Sequence, residues 1–114
     1  TYFALSKAFF TRLGIENMDI QRTKGLIDER HYWNFVNIGT QSAPQWYHFD
    51  ATPIRKPFNR TTYMMTDAQM IAYTNYRAGS SPKKLHYYTF DTSLHPASAT
   101  EIMVDLELDA KFYE

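Results

Sequence analysis

The chain contains no cysteine among its 114 residues. This absence excludes disulfide bonds and thiolate metal sites, and it leaves no thiol for nucleophilic chemistry within the chain. Lysine and arginine total 12, as do aspartate and glutamate, so no net charge favours nucleic acid or an anionic membrane as a partner. No apolar run approaches the roughly 20 residues that a membrane span needs. The length predicts a single domain over residues 1–114.

Aromatic residues are abundant: the chain has nine tyrosines, eight phenylalanines and two tryptophans. Rings of this size fill the core and the sheet faces of a small β-rich domain. Exposed tyrosine and tryptophan could instead form a surface that binds peptide or glycan. Because many of the rings fall in predicted strands, the pattern favours the core interpretation.

Two β-strands are predicted over residues 31–38 and 45–50, joined by a polar loop over residues 39–44. Antiparallel pairing gives the opposed pairs His31–Asp50, Trp33–His48 and Phe35–Trp46. Side chains alternate between the faces of a strand, so these six residues share one face. Opposed Cβ atoms lie about 4.5–5.5 Å apart, which allows Asp50 to hydrogen-bond and orient the imidazole of His31.

The remaining elements follow from periodicity and from turn residues. A helix is predicted over residues 2–13, ended by Gly14, with one apolar side formed by Phe3, Ala4, Ala8, Phe10 and Leu13. The other predicted elements are a strand over 18–23, a loop over 24–30, a surface loop over 53–59, a helix from Asp67 to about Thr74 capped by Thr66, a breaker over 78–82 and a strand over 85–90. The tail over 101–114 is compatible with a strand or a helix, and we assign it to a strand.

Two motifs resemble those of a known family. His31-Tyr32-Trp33-Asn34 and the segment from Trp46 to Pro53 resemble the histidine and aspartate motifs of the transglutaminase-like superfamily, whose fold is related to papain-like cysteine proteases. The first helix and its Gly14-Ile15 exit resemble the helix that carries the nucleophile in that family. The resemblance covers residues 1–53. It implies an α+β fold with a papain/transglutaminase-like core, in which an N-terminal helix packs on an antiparallel β-sheet.

The family uses a Cys–His–Asp triad, so the resemblance implies that His31 and Asp50 are catalytic. The family's helix length places the cysteine just upstream of Thr1. We therefore expect a transglutaminase-like domain over 1–114 that is truncated at its N-terminus and inactive in thiol chemistry as given. The alternatives are a natural protein that never had the nucleophile, and Thr1 acting as a nucleophile through its own amine.

The implied chemistry is acyl transfer from a protein or peptide substrate to water or to an amine, with no cofactor and no metal. Analogy with bacterial family members implies an extracellular or cell-surface location. The alternative from another class is a non-catalytic extracellular module that binds peptide or glycan on the same scaffold. Sequence does not choose between hydrolysis and crosslinking.

Several other residues have alternative roles. A metal site could form from His31, His48 and Asp50, although the sequence offers no group to orient the metal ligands. Trp33 could line a substrate cleft or belong to the core. The two remaining histidines, His86 and His95, are predicted to be structural or on the surface.

Overall fold

The computed structural model describes residues 2–23, 31–52, 62–80 and 88–105. Along the chain these contain the elements α1 (Tyr2–Arg12), β1 (Asn17–Gln21), β2 (Tyr32–Asn37), β3 (Trp46–Asp50), β4 (Thr62–Met65), α2 (Asp67–Ser80) and a 3-10 turn, Thr92–Leu94. The strands form one antiparallel sheet in the order β1-β2-β3-β4. An N-terminal helix on an antiparallel sheet and the α+β class are therefore both confirmed.

The helix α1 lies on the sheet face that carries Tyr32 and Phe49. Phe3 stacks on Tyr32 with ring centroids 5.5 Å apart, and Phe10 meets Phe49 edge-on at 5.0 Å. No residue of α1 is fully buried, although its apolar side faces the sheet through Phe3 and Phe10. The other three residues of the predicted apolar side, Ala4, Ala8 and Leu13, are exposed. Two phenylalanines spaced seven residues apart make most of the ring contact, which leaves the rest of the helix in solvent.

The main core lies on the opposite face of the sheet, between the strands and α2. Its buried side chains are Ile20, Trp33, Phe35, Trp46, Met65, Met70, Tyr73 and Tyr88. Phe35 stacks on Trp46 at 5.1 Å, and Tyr88 meets Trp33 edge-on at the same distance. These rings support the core interpretation of the aromatic composition. Across residues 2–23, 31–52, 62–80 and 88–105, no helix combines the length and apolar character needed to cross a membrane.

The pairing of β2 with β3 differs from the predicted register by two residues. Phe35 pairs with His48 and Asn37 with Trp46. The predicted loop over 39–44 is correct, and the ladder continues up to it because the amide of Ile38 donates to the carbonyl of Gln45 at 3.0 Å. A shift of two residues leaves every side chain on its predicted face. The three predicted pairs are therefore wrong as direct partners, while their shared face is retained.

Glycines allow two of the turns, one between α1 and β1 and one between β2 and β3. Gly14 ends α1 with φ 73°, a conformation that glycine adopts without strain. At Gly39 a Cβ atom would lie 2.2 Å from the carbonyl oxygen of Ala43, so the tight loop requires glycine. The side chain of Asn37 accepts hydrogen bonds from the amides of Gly39 and Gln45, which closes the loop between β2 and β3.

The helix α2 begins where the sequence predicts. The hydroxyl of Thr66 accepts from the amide of Gln69, and the side chain of Gln69 accepts from the amide of Thr66. This reciprocal cap satisfies two amides that a helix start leaves unpaired. The helix continues beyond Thr74 to Ser80, so the breaker predicted from residue 78 is wrong there. A glycine inside a helix costs only about 1 kcal/mol, which packing of the preceding turns can offset.

Strand β4 was not predicted, and it carries a bulge. His48 pairs with Met65 and Asp50 with Thr62, so two residues of β4 oppose one residue of β3. Met64 adopts φ 52° at this position, a conformation uncommon outside glycine. Bulges of this kind redirect neighbouring side chains and are frequent beside functional sites.

The later strand predictions are wrong where the structure describes them. Residues 88–90 of the predicted strand over 85–90 are not in a strand, because Tyr88 and Phe90 turn their rings onto Trp33 instead. Residues 101–105 of the tail also have no strand or helix. The predicted loops over 24–30 and 53–59, His86, and the tail from 106 to 114 lie outside the described residues.

Candidate functional site

The imidazole of His31 and the carboxylate of Asp50 meet on the core face of the sheet. His31 immediately precedes β2 and Asp50 ends β3, so the pairing of these strands brings both residues to the same end of the sheet. His31 Nε2 lies 2.7 Å from Asp50 Oδ2. The side chain of Asp50 is 3% exposed and that of His31 is 22% exposed. The hydrogen bond expected from the sequence is therefore present. Its carboxylate is buried, and its imidazole is partly exposed to solvent.

Asp50 has further partners that hold it as an anion. The hydroxyl of Tyr88 donates to Asp50 Oδ2 at 2.7 Å, and the amide of Thr52 donates to Oδ1 at 3.0 Å. Burial raises the pKa of Asp50, but the hydrogen bond and charge of His31, then Tyr88 and Thr52, lower it more, so the net pKa lies below its ordinary value. The carboxylate is ionised near neutral pH. It can therefore accept hydrogen bonds from two donors at one oxygen.

This arrangement determines where the protons lie. Burial, and then the charge of Asp50, raise the pKa of Tyr88 well above 10, so its hydroxyl remains a donor. A neutral His31 that bonds to an ionised Asp50 must carry its proton on Nε2. Its Nδ1 then holds a lone pair, and no hydrogen-bond partner for Nδ1 is found in the described part of the chain. His31 can accept a proton at Nδ1 while Asp50 stabilises the imidazolium that results.

A second histidine–aspartate pair lies beside the first. His48 Nε2 lies 2.6 Å from Asp67 Oδ1, and the indole nitrogen of Trp33 donates to His48 Nδ1 at 2.9 Å. Asp67 Oδ2 in turn accepts from the amide of Ser98 at 3.0 Å. His48 and Trp33 are fully buried. These bonds connect β2 and β3 to the start of α2 and to the segment that follows the 3-10 turn.

The indole of Trp33 fixes the tautomer of His48. An indole N–H can only donate, so His48 Nδ1 must accept and its proton must be on Nε2, where it is donated to Asp67. Protonation of His48 would place two N–H donors against each other. Both nitrogens of His48 are occupied, and with no opening to solvent this imidazole is structural.

Acid pH should destabilise the protein through His48. Burial lowers the pKa of His48 below 6.5, against the hydrogen bond and charge of Asp67, which raise it. As the pH falls below about 6.5, His48 binds a proton in the unfolded chain but stays neutral in the folded chain. The free energy of unfolding therefore falls with decreasing pH, by at most about 1.4 kcal/mol per pH unit for this group. Urea unfolding between pH 7.5 and 5 measures the loss.

His48→Gln, whose side chain does not titrate, should flatten this pH dependence. The aspartates act in a separate range: hydrogen bonds with the histidines lower the pKa of Asp50 and of Asp67 although burial raises it, so their contribution is lost only below about pH 4. Equal stability of the unmodified protein at pH 7.5 and pH 5 would contradict the assignment of His48 as a buried neutral imidazole.

The remaining sequence candidates are distributed around these pairs. Trp33 is a core indole in this structure, with no exposed surface. Asn34 points to the opposite face, where its amide reaches the carbonyl of Phe3 at 3.4 Å. His95 lies half-buried with its ring centroid 6.4 Å from those of Phe35 and Phe90. Within the described ranges no three histidine, aspartate or glutamate side chains form a group that could hold a metal ion.

The first turn of α1 lies on the sheet face opposite to the ring of His31. Phe3 contacts Tyr32, the residue after His31, on the face that α1 covers. The ring of His31 lies on the other face, 6.0 Å from the ring of Trp33 and 6.2 Å from that of Tyr88. A group upstream of α1 can therefore meet His31 only around the end of β2.

Two residues of the site were not identified from the sequence. Tyr88 was assigned to a strand and Asp67 to the first turn of a helix, yet each is the hydrogen-bond partner of a buried site residue. No local pattern predicts these contacts, because each joins β3 to a segment outside the predicted hairpin of β2 and β3, whose position on the core face depends on tertiary packing. Comparison of the chain with family models, with curated proteins and with solved structures finds no match.

Proposed function

We propose that this chain is the C-terminal portion of a transglutaminase-like domain with a papain-like core, which transfers acyl groups from peptide or protein amides when a cysteine is supplied from upstream. The observation that carries the proposal is the 2.7 Å bond between His31 Nε2 and the buried carboxylate of Asp50. The sequence motifs around both residues and their order along the chain support the same assignment. An extracellular or cell-surface location is part of this proposal, by analogy with bacterial members of the family that the motifs resemble.

The chemistry follows from the proton positions. His31 Nδ1 takes the proton of the cysteine thiol, and the thiolate attacks the carbonyl carbon of the substrate amide. The imidazolium then returns the proton to the leaving amine, which departs as the C–N bond breaks. Asp50 holds the ring and stabilises its positive charge during this step. Water or an acceptor amine then releases the acyl group by the reverse sequence of transfers.

The position of α1 sets a geometric requirement on this proposal. The face that α1 covers is not the face on which the His31 ring lies. The sulfur must therefore reach His31 Nδ1 past the end of β2, next to Tyr32. The His31 side chain is 22% exposed, so the ring is not sealed inside the core.

The proposal is tested on the natural parent protein. We expect a cysteine within a few residues upstream of Thr1, and turnover of a peptide amide that iodoacetamide abolishes. Alkylation of the thiol removes the nucleophile, whereas this chain alone should be inactive because it has no cysteine. Another residue at that position, or turnover unaffected by iodoacetamide, would refute thiol chemistry.

A second candidate function is a binding module on the same scaffold. The exposed apolar residues of α1 favour it, since Leu5 is 72% exposed and Phe9 is 61% exposed. Leu5 and Phe9 lie one helical turn apart, so their side chains are neighbours on the helix surface. Exposed apolar patches mark interaction sites on proteins. The same upstream residue discriminates the two candidates: a parent that keeps His31 and Asp50 but has no cysteine would favour the binding module.

A further inference from the structure

The outer edge of β1 has backbone groups without a partner strand. The carbonyl of Glu16 accepts from the amide of Asn37 in β2, and the amide of Arg22 donates to the carbonyl of His31, just before β2. Bonding alternates along an antiparallel strand, so the residues in between that direct N–H and C=O away from β2 are Asn17, Asp19 and Gln21. In the described part of the chain β1 is the first strand of the sheet, and no backbone bond reaches these outward groups.

Just after the end of β1, an outward-facing backbone group already has a hydrogen-bond partner from another segment. The amide of Thr23, next in the alternating series, donates to the carbonyl of Thr89 at 2.8 Å. The outward groups of β1 are thus oriented to accept another extended segment. Thr89 marks one end of the space that such a segment could occupy.

A groove of about 540 Å³ follows this edge. One wall is formed by Asp19, Gln21 and Tyr32, whose side chains lie on the α1 side of the sheet. The opposite wall is formed by Asp91, Leu94 and His95, which follow the segment that crosses the core face. Because residues from both sides of the sheet line it, the groove lies along the edge of β1. A volume of this size accommodates several residues of extended chain.

We propose that the edge of β1 docks an extended peptide segment as an added strand, held by backbone hydrogen bonds to Asp19 and Gln21. Strand addition takes its affinity from the main chain and its selectivity from alternate side chains. This inference deepens the proposed function, because it names the place where a polypeptide substrate binds. That the bound peptide is a substrate rests on the proposed function.

The lining of the groove specifies the side chains of the peptide. On the α1 side they meet Asp19, whose carboxylate is also ion-paired with Lys7 Nζ at 2.8 Å. On the opposite wall they meet the carboxylate of Asp91, and Arg22 lines the groove as well. Hydrogen bonds from Ser93 lower the pKa of Asp91, so it is ionised. On the other side the peptide meets Leu94, which is 73% exposed. A peptide that combines basic residues, to pair with the carboxylates, and apolar residues, to pack on Leu94, fits this lining.

The probe is a short fluorescent peptide in which lysine and valine alternate, added to the chain as it exists. We expect saturable binding by fluorescence anisotropy, with amide exchange slowed at Asp19 and Gln21. Gln21→Pro removes one outward amide and no bond to β2, and should weaken binding about 2- to 10-fold, the value of one hydrogen bond. Gln21→Ala, the matched control, removes the same side chain but keeps the amide, so Gln21→Pro should bind more weakly than Gln21→Ala by this factor.

Backbone methylation of the peptide provides a test that needs no protein variant. Methyl groups on one alternate set of peptide nitrogens should abolish binding, and methyl groups on the other set should leave it unchanged, because only one edge of the peptide faces β1. Equal effects of the two sets, or tighter binding by Gln21→Pro, would overturn the inference. Concentration-dependent pairing of the chain with itself through β1, seen by sedimentation, would also overturn it by assigning the edge to a second copy.

Failure of this inference is distinguishable from failure of the proposed function, because peptide binding is measured without turnover. Binding in a chain whose parent lacks iodoacetamide-sensitive activity would retain the docking edge and refute the chemistry. Activity of the parent without peptide binding at β1 would support the chemistry and refute the docking edge.

Discussion

His31→Ala in the cysteine-containing parent should lower turnover of a peptide amide by about 10²–10⁴, the usual contribution of a general acid–base group. The reason is that Nδ1 of His31 is the nitrogen left to accept the thiol proton when Nε2 is held by Asp50. Steady-state kinetics with a peptide amide measures the loss. Because the step needs proton transfer, the effect should appear in kcat more than in KM.

A double-variant design tests whether His31 and Asp50 act together. Asp50→Asn keeps the shape of the side chain and removes its charge, so it should also lower kcat. Combining it with His31→Ala should cost little more than His31→Ala alone, because groups that act as a unit are not additive. Urea unfolding of each variant shows whether the fold is retained. Full turnover in a folded His31→Ala parent would contradict the catalytic role.

Trp33→Ala should lower the free energy of unfolding by about 3–5 kcal/mol, the largest single stability effect that we expect. Trp33 is fully buried, contacts the rings of Tyr88 and Phe90, and donates to His48. Truncation removes this packing and leaves a cavity in the middle of the core. Urea denaturation monitored by circular dichroism gives the change.

Trp33→Phe is the matched control for this prediction. It keeps an aromatic ring but removes the indole N–H, so His48 Nδ1 loses its donor inside the core. An unsatisfied buried acceptor costs about 1–3 kcal/mol, less than the cavity left by alanine. If Trp33→Phe were as stable as the unmodified chain, the hydrogen bond to His48 would contribute nothing and the tautomer argument would fail.

Local patterns anticipated those parts of the fold that depend on neighbouring residues. Helix α1 and its end at Gly14, the strands around His31 and Asp50, and the cap at Thr66 all follow from periodicity and turn chemistry within a few residues. The shared face of the two site residues also follows, because alternation survives a register error of two residues. The hydrogen bond between them was predictable for this reason.

Partners distant in the chain were not predictable in this way. Periodicity indicated a strand that includes Tyr88, whereas burial of its ring against Trp33 and its bond to Asp50 override the local preference. The sequence predicts too short an α2 because packing of its earlier turns, through Met70 and Tyr73, outweighs the weak helix propensity of the residues that follow. Strand β4 is defined by the pairing of Thr62 and Met65 with β3, a contact that no local pattern specifies.

The amino-acid sequence alone determined that this chain brings an imidazole and a carboxylate to one face of an antiparallel sheet, and that it has no thiol of its own, because alternation and composition depend on no distant contact. Tertiary structure decided that Oδ2 of Asp50 bonds to both His31 and Tyr88, and that His48 is neutral inside the core. Those properties depend on burial and on hydrogen bonds between segments far apart in the chain, whose energies exist only once the segments pack together.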